Sequence, residues 1–125
     1  QLQLEVSNNT IQTTAVGEAV RLRARNNSRL NTIVSNNTLT QGNSATRSLE
    51  LRADNNSTLC ANVFGNVQTN GSGFNLRGAT LRIVDFPNLS SNNGGVTINV
   101  VSGTVINDIT IATFNAAPPL GCTFP

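Results

Sequence analysis

An internal repeat constrains this chain more than any other feature. The string Ser-Asn-Asn-Thr occurs at residues 7–10 and again at 35–38, 28 residues on. Asn-Asn-Ser occurs at 26–28 and again at 55–57, 29 residues on. Two different strings at nearly one period define a repeating unit of about 28 residues. The apolar residues keep the same period. Leu2, Leu4 and Val6 alternate with polar residues. Their counterparts are Leu30, Thr32 and Val34, then Leu59, Ala61 and Val63, then Leu81 and Ile83, where Asp85 breaks the pattern. A second alternating family fills the other half of each unit. It reads Val20, Leu22, Ala24, then Leu49, Leu51, Ala53, then Phe74, Leu76, Gly78, then Val96, Ile98, Val100, at spacings of 29, 25 and 22 residues. Beyond Val100 the register fades. Ile106, Ile109, Ile111 and Phe114 predict one or two more strands before Pro118-Pro119 ends regular structure.

Period-two alternation excludes leucine-rich, ankyrin and tetratricopeptide repeats, and propeller blades need about 40 residues. A parallel β-helix fits. Each coil lays down two or three short strands, equivalent strands stack about 4.8 Å apart, inward positions form apolar columns and outward positions form polar ladders. An antiparallel β-sandwich is the alternative, but it has no reason to repeat one turn string at this period. The expectation is therefore an all-β parallel β-helix of about four to five coils, 22–29 residues each, over residues 1–117. One inward column is expected to run through Leu22, Leu51, Leu76 and Ile98. At one corner Asn9, Asn37, Asn66 and Asn88 are expected to stack. Asn tolerates left-handed backbone angles there, and its amide can bond the copies above and below.

Composition narrows the chemistry. Of 125 residues, 45 are Asn, Thr or Ser, and only 11% are charged. There is no His, Lys, Met, Trp or Tyr, and all eight basic residues are Arg. Without His there is no histidine base or metal ligand, and without Lys no Schiff base. A net charge of +2 gives nucleic acid no default claim as partner. No stretch approaches the roughly 18 apolar residues of a membrane-spanning helix. The opening Gln-Leu-Gln-Leu-Glu-Val reads as a strand, so a removed leader or a piece of a longer protein is expected. No cofactor, metal or catalytic residue is expected.

The run from Leu59 to Phe86 carries Leu59-Cys60, Asn62, Gly65-Asn66, Gly73-Phe74 and Leu76-Arg77. It resembles the last coils of bacterial right-handed parallel β-helix repeat proteins, which are similar in architecture to the pectate-lyase-type superfamily. The resemblance covers roughly residues 1–100. It implies a right-handed solenoid on a secreted or surface protein and carries little about activity. Two cysteines in a Lys-free, Asn/Thr/Ser-rich chain point to an oxidising, extracytoplasmic setting. Cys60 takes an outward strand position, and Cys122 lies in a tail over 118–125. A tail folding back would join them, and the resembled proteins carry a late cysteine of this kind. The bridge would close a loop of about 60 residues and stabilise by about 4 kcal/mol in the chain-entropy model. The alternative is two free thiols.

Arg23, Arg52 and Arg77 occupy equivalent positions in three coils, flanked by Arg21, Arg25, Arg29, Arg47 and Arg82. An outward Arg column could hold anionic polysaccharide, since Arg pairs bidentately with such groups. The alternative is a solvated column balanced by Glu50 and Asp54. The acids Glu5, Glu18, Glu50, Asp54, Asp85 and Asp108 form no Asp-Asp or Asp-x-Asp pair, which disfavours a polysaccharide-cleaving enzyme. Asn-x-Ser/Thr sequons at Asn8, Asn26, Asn36, Asn55, Asn70 and Asn88 read as turn corners rather than glycosylation sites. The outward threonines are not expected to align into an ice-binding array. The functional expectation is an extracellular structural module of a surface layer, adhesin or self-assembling fibre. It would pack through open coil ends against its own kind or an upstream part of the same polypeptide. A carbohydrate-binding module is the alternative.

Overall fold

The computed structural model describes residues 2–14, 16–117 and 121–123. Among the described residues there are ten strands: β1 (Leu2–Ser7), β2 (Thr10–Gln12), β3 (Val20–Ala24), β4 (Arg29–Ser35), β5 (Thr38–Thr40), β6 (Leu49–Phe64), β7 (Val67–Thr69), β8 (Phe74–Val84), β9 (Ile98–Val100) and β10 (Val105–Ile109). A five-residue helix, α1 (Ile111–Asn115), follows. Every strand pairing among the described residues is parallel, and each joins a strand to its counterpart one repeat later. Strands recurring at this period cannot pair as hairpins, because the chain must complete a circuit before it meets its own register. The result is a β-solenoid of about 4 turns.

The coil has three faces. One stacks β1, β4, the second half of β6, the second half of β8, and β10. A second is the three-stranded β2-β5-β7 sheet. The third stacks β3, the first half of β6, the first half of β8, and β9. β6 and β8 run through the corner between the third and first faces, which joins those two into one seven-stranded sheet.

Period-two alternation places the apolar columns inside. Leu2, Leu30, Leu59 and Leu81 share one register position, and Val6, Val34 and Val63 another. Leu22, Leu51 and Leu76 are stacked likewise, and Leu49, Leu51, Leu59, Leu76 and Leu81 are fully buried. The fourth coil departs from the expected alignment. Val100, not Ile98, lies beside Leu76, and Ile98 lies beside Phe74. The slip is two residues, so inward and outward faces are preserved. Its cause is the turn before β9. Asp85 takes a left-handed φ of 51° and opens two consecutive 3-10 turns, Phe86–Asn88 and Ser91–Asn93, which end at left-handed Gly94 and Gly95. This segment replaces the short corner of the earlier coils.

The shrinking repeat has a local explanation too. Between Ala53 and Thr58 the strand carries a four-residue outward loop, whereas Gly78 and Thr80 pair with those same residues across one intervening residue. The tight passage needs Gly78 at φ 123°, and a Cβ there would lie 1.8 Å from the Ala53 carbonyl oxygen.

After β10 the chain does not continue as strand, contrary to the pattern at Ile111 and Phe114. Thr110 caps α1, its hydroxyl accepting from the Thr113 N–H at 3.1 Å. The short helix turns Phe114 onto the outward face of the first sheet. There it packs with Cys60 and Cys122 against Ile33, Val84 and Ile109. Cys60 is thus outward from the solenoid yet fully buried, and it forms a disulfide with Cys122, 62 residues away. The expected tail boundary at 118 falls where residues 118–120 lie outside the described residues.

These columns should dominate stability. Leu51→Ala should cost about 2–5 kcal/mol, whereas Arg52→Ala, on the outward side, should stay within about 1 kcal/mol. Urea unfolding of both variants checks the register, and equal losses would place it one residue out.

Candidate functional site

The corner between the first and second faces holds the most connected polar group in the molecule. Two adjacent residues divide the work there. The first of each pair turns the chain: Asn8, Asn36 and Gly65 have φ of 59°, 55° and 68°. The second builds the ladder. Asn9 donates its backbone N–H and its Nδ2 to Asn37 Oδ1, at 3.0 and 3.1 Å. Asn37 donates the same pair to Asn66 Oδ1, at 3.1 and 2.9 Å. Asn66 donates the same pair to Asn93 Oδ1, at 3.1 and 2.8 Å. Asn37, Asn66 and Asn93 are each 1% exposed, so the bonds among these three are made away from water.

The fourth rung is therefore Asn93 and not Asn88. Asn88 is exposed and bonds Asp85 Oδ1 at 2.9 Å within the first 3-10 turn. The inserted turns displace the corner by five residues, which periodicity alone could not register. The ladder asparagines also do not adopt left-handed angles; in the first three rungs their predecessors Asn8, Asn36 and Gly65 do. This accounts for the sequons. Asn8, Asn26, Asn36, Asn55 and Asn70 all have positive φ, and Asn88 alone of the six does not.

The ladder ends at a coil with an uncovered edge. β1 and β2 are the terminal strands of their sheets among the described residues. Leu2 is 58% exposed, while Leu30, Leu59 and Leu81 in its column are at most 6% exposed; Leu4 is 37% exposed, while Thr32, Ala61 and Ile83 in its column are at most 1% exposed. The apolar columns and the ladder therefore reach the surface together at the β1–β2 edge.

On the third face Arg23, Arg52 and Arg77 do stack in register. They do not form an open cationic column. Asp54 binds both Arg23 and Arg52, the latter through Nε at 2.9 Å. The outward loop of residues 54–57 puts this carboxylate between the two coils. The Arg52 hydrogen bond, followed by that from Arg23, holds the Asp54 carboxyl below its ordinary value. Glu50 is buried, accepts from Asn75 Nδ2 at 3.1 Å, and lies 3.7 Å from Arg21. Arg21 also meets Glu18 at 2.6 Å. Arg82 turns toward the tail, donating to the Gly121 carbonyl at 3.3 Å. Arg77 is exposed and makes no ion pair among the described residues. Asp85 accepts from Asn88 and Asn92, and Asp108 from the Phe86 N–H.

Two smaller features complete the surface. A cleft of about 390 Å³ lies between α1 and the β1–β4 face, lined by Glu5, Asn31, Ile33, Phe114 and Thr123 among others. On the second face Thr10 sits beside Thr38, and Thr40 beside Thr69. The outward threonines therefore do align in part, with Gln12 and Val67 interrupting the two columns.

No family model matches the chain, and no curated protein or solved structure matches it. Its architecture is read from its own register.

Two outcomes follow. Asn66→Ala removes both bonds accepted from Asn37 and the Nδ2 bond to Asn93, leaving only the backbone N–H bond to Asn93 in a dry setting, and should cost about 2–4 kcal/mol, against under about 1 kcal/mol for Asn88→Ala; thermal and urea melts compare them. Asp54 has a depressed folded value, so its pairing stabilises above the unfolded value of about 3.9 and is lost as pH falls through the folded one. Asp54→Asn should lower the urea midpoint at neutral pH, and the difference from wild type should close as pH falls through the folded-state value. A gap independent of pH would contradict the pairing.

Proposed function

We propose that this chain is an extracellular structural module, a β-solenoid that stacks end to end with other solenoid coils through its β1–β2 edge, as parts of surface layers, adhesins and fibres do. The observation that carries the reading is the edge itself. Unpaired strand groups, exposed Leu2 and Leu4, and the ladder terminus all face one way, and natural proteins cover or pair such edges. The sequence resemblance supports a bacterial, right-handed, pectate-lyase-like solenoid on a secreted or surface protein. The Cys60–Cys122 disulfide fits an oxidising compartment, and no described helix is long and apolar enough to cross a membrane.

The described acids also favour a structural role over catalysis. Asp54, Glu50, Asp85 and Asp108 each hold a neighbouring group in place. Anionic polysaccharide binding through the Arg column has less support, because Asp54 already occupies Arg23 and Arg52.

Sedimentation velocity over a wide concentration range tests the reading. The chain should self-associate, and the Leu2→Lys/Leu4→Lys variant should associate markedly less, since edge lysines block strand pairing. A wild-type chain that stays monomeric at every concentration would remove stacking on its own kind, and a preceding coil joined to it that stays unpaired would overturn the reading.

A further inference from the structure

The Asn ladder has a direction, and its direction selects what the open end accepts. At Asn37 and Asn66 the Oδ1 accepts two bonds from the preceding coil, while the backbone N–H and Nδ2 donate to the following coil. The Nδ2 groups also reach back to a strand carbonyl one coil earlier: Asn37 to Val6 at 2.8 Å, Asn66 to Val34 at 2.8 Å, Asn93 to Val63 at 3.0 Å.

At Asn9 both of these links are open. Its Oδ1 accepts no hydrogen bond among the described residues, and its Nδ2 turns instead to Ser7 of its own coil at 2.9 Å. The other end of the ladder is closed. Asn93 donates its N–H to the Ser90 carbonyl at 3.0 Å, and its Nδ2 to the Val63 and Leu89 carbonyls. It has no donor left for a following rung.

Resting on the end-to-end reading above, we infer that the β1–β2 edge is built to receive one kind of partner: a parallel solenoid coil that carries Asn at the same corner and lies on the acceptor side of Asn9. Such a coil supplies the backbone N–H and Nδ2 that Asn9 Oδ1 lacks, a strand carbonyl to which its Nδ2 can turn from Ser7, and apolar cover for Leu2 and Leu4. A second copy of the described coils fits less well in either orientation. Set head to head, two Asn9 Oδ1 acceptors face each other. Set head to tail, Asn93 of the neighbouring copy has spent its donors.

The test joins a copy of residues 30–57 before Gln1 of the full chain, which sets a second Asn37 one coil ahead of Asn9. Residues at the added corner and at Asn9 are followed by NMR. The Asn9 carboxamide resonances should move to the positions of Asn37 and Asn66, and its amide hydrogens should exchange at least about tenfold more slowly, as one net hydrogen bond implies. The same extension with Asn→Ala at the copied Asn37 should keep the strand pairing and the backbone N–H donor but lose the Nδ2 donor, so the Asn9 shift should be only partial. An extension that stays unpaired, or an Asn9 unmoved by a paired coil, would overturn the inference. If the unextended chain shows the Asn9 shift as it associates, a second copy is the occupant. The inference then falls while end-to-end stacking stands. An unextended chain that never associates, with an extension that does dock, leaves the inference in place and removes self-stacking.

Discussion

The structure depends on a column of carboxamides kept out of water. A solenoid coil has weak grounds for choosing its register, because every turn offers the next a similar row of backbone groups and a similar set of apolar side chains. A buried carboxamide must be bonded, since leaving one unpaired costs about 1–3 kcal/mol per group. Asn37 and Asn66 meet that demand only when the coils above and below stand at one rotation and one height. The ladder therefore fixes the stack in a way that alternating Leu and Val columns cannot. It also explains how a chain with so little charge and so few aromatic residues holds a single arrangement.

The other polar interactions serve the same geometry. Asp54 reaches from its outward loop to arginines of two successive coils and relieves the repulsion that stacking them creates. The C-terminal helix and the disulfide fasten the tail across the first sheet, covering Cys60 with Phe114. The tail is held on a lateral face and the ladder is terminated at Asn93, so the two ends of the solenoid are chemically unlike.

The solenoid was legible because strings repeat and because inward positions alternate over long runs, from Leu2 through Ile83. Both cysteines were legible as outlying residues in a chain with no other sulfur. What escaped was whatever does not repeat. Asn93 could not be found by counting from Asn66, because two 3-10 turns intervene; the usable signal was Asn93-Gly94-Gly95, an Asn followed by residues free to take the left-handed turn. The division of labour between Asn8 and Asn9 was hidden because both positions hold the same residue type. Gly65, which takes the turning place with φ 68° before Asn66, is the one copy that separates the roles. The helix at Ile111–Asn115 was masked by its apolar spacing, and the Thr110 cap was its only local sign.

The central claim, that the Asn ladder is a dry, register-setting column rather than a surface decoration, is tested most directly by native-state hydrogen exchange. The account predicts that the backbone amides of Asn37 and Asn66 exchange only through global unfolding, with the same free energy as the amides of Leu51 and Leu76 in the apolar columns. Exchange at Asn37 and Asn66 as fast as that of exposed turn amides would contradict it.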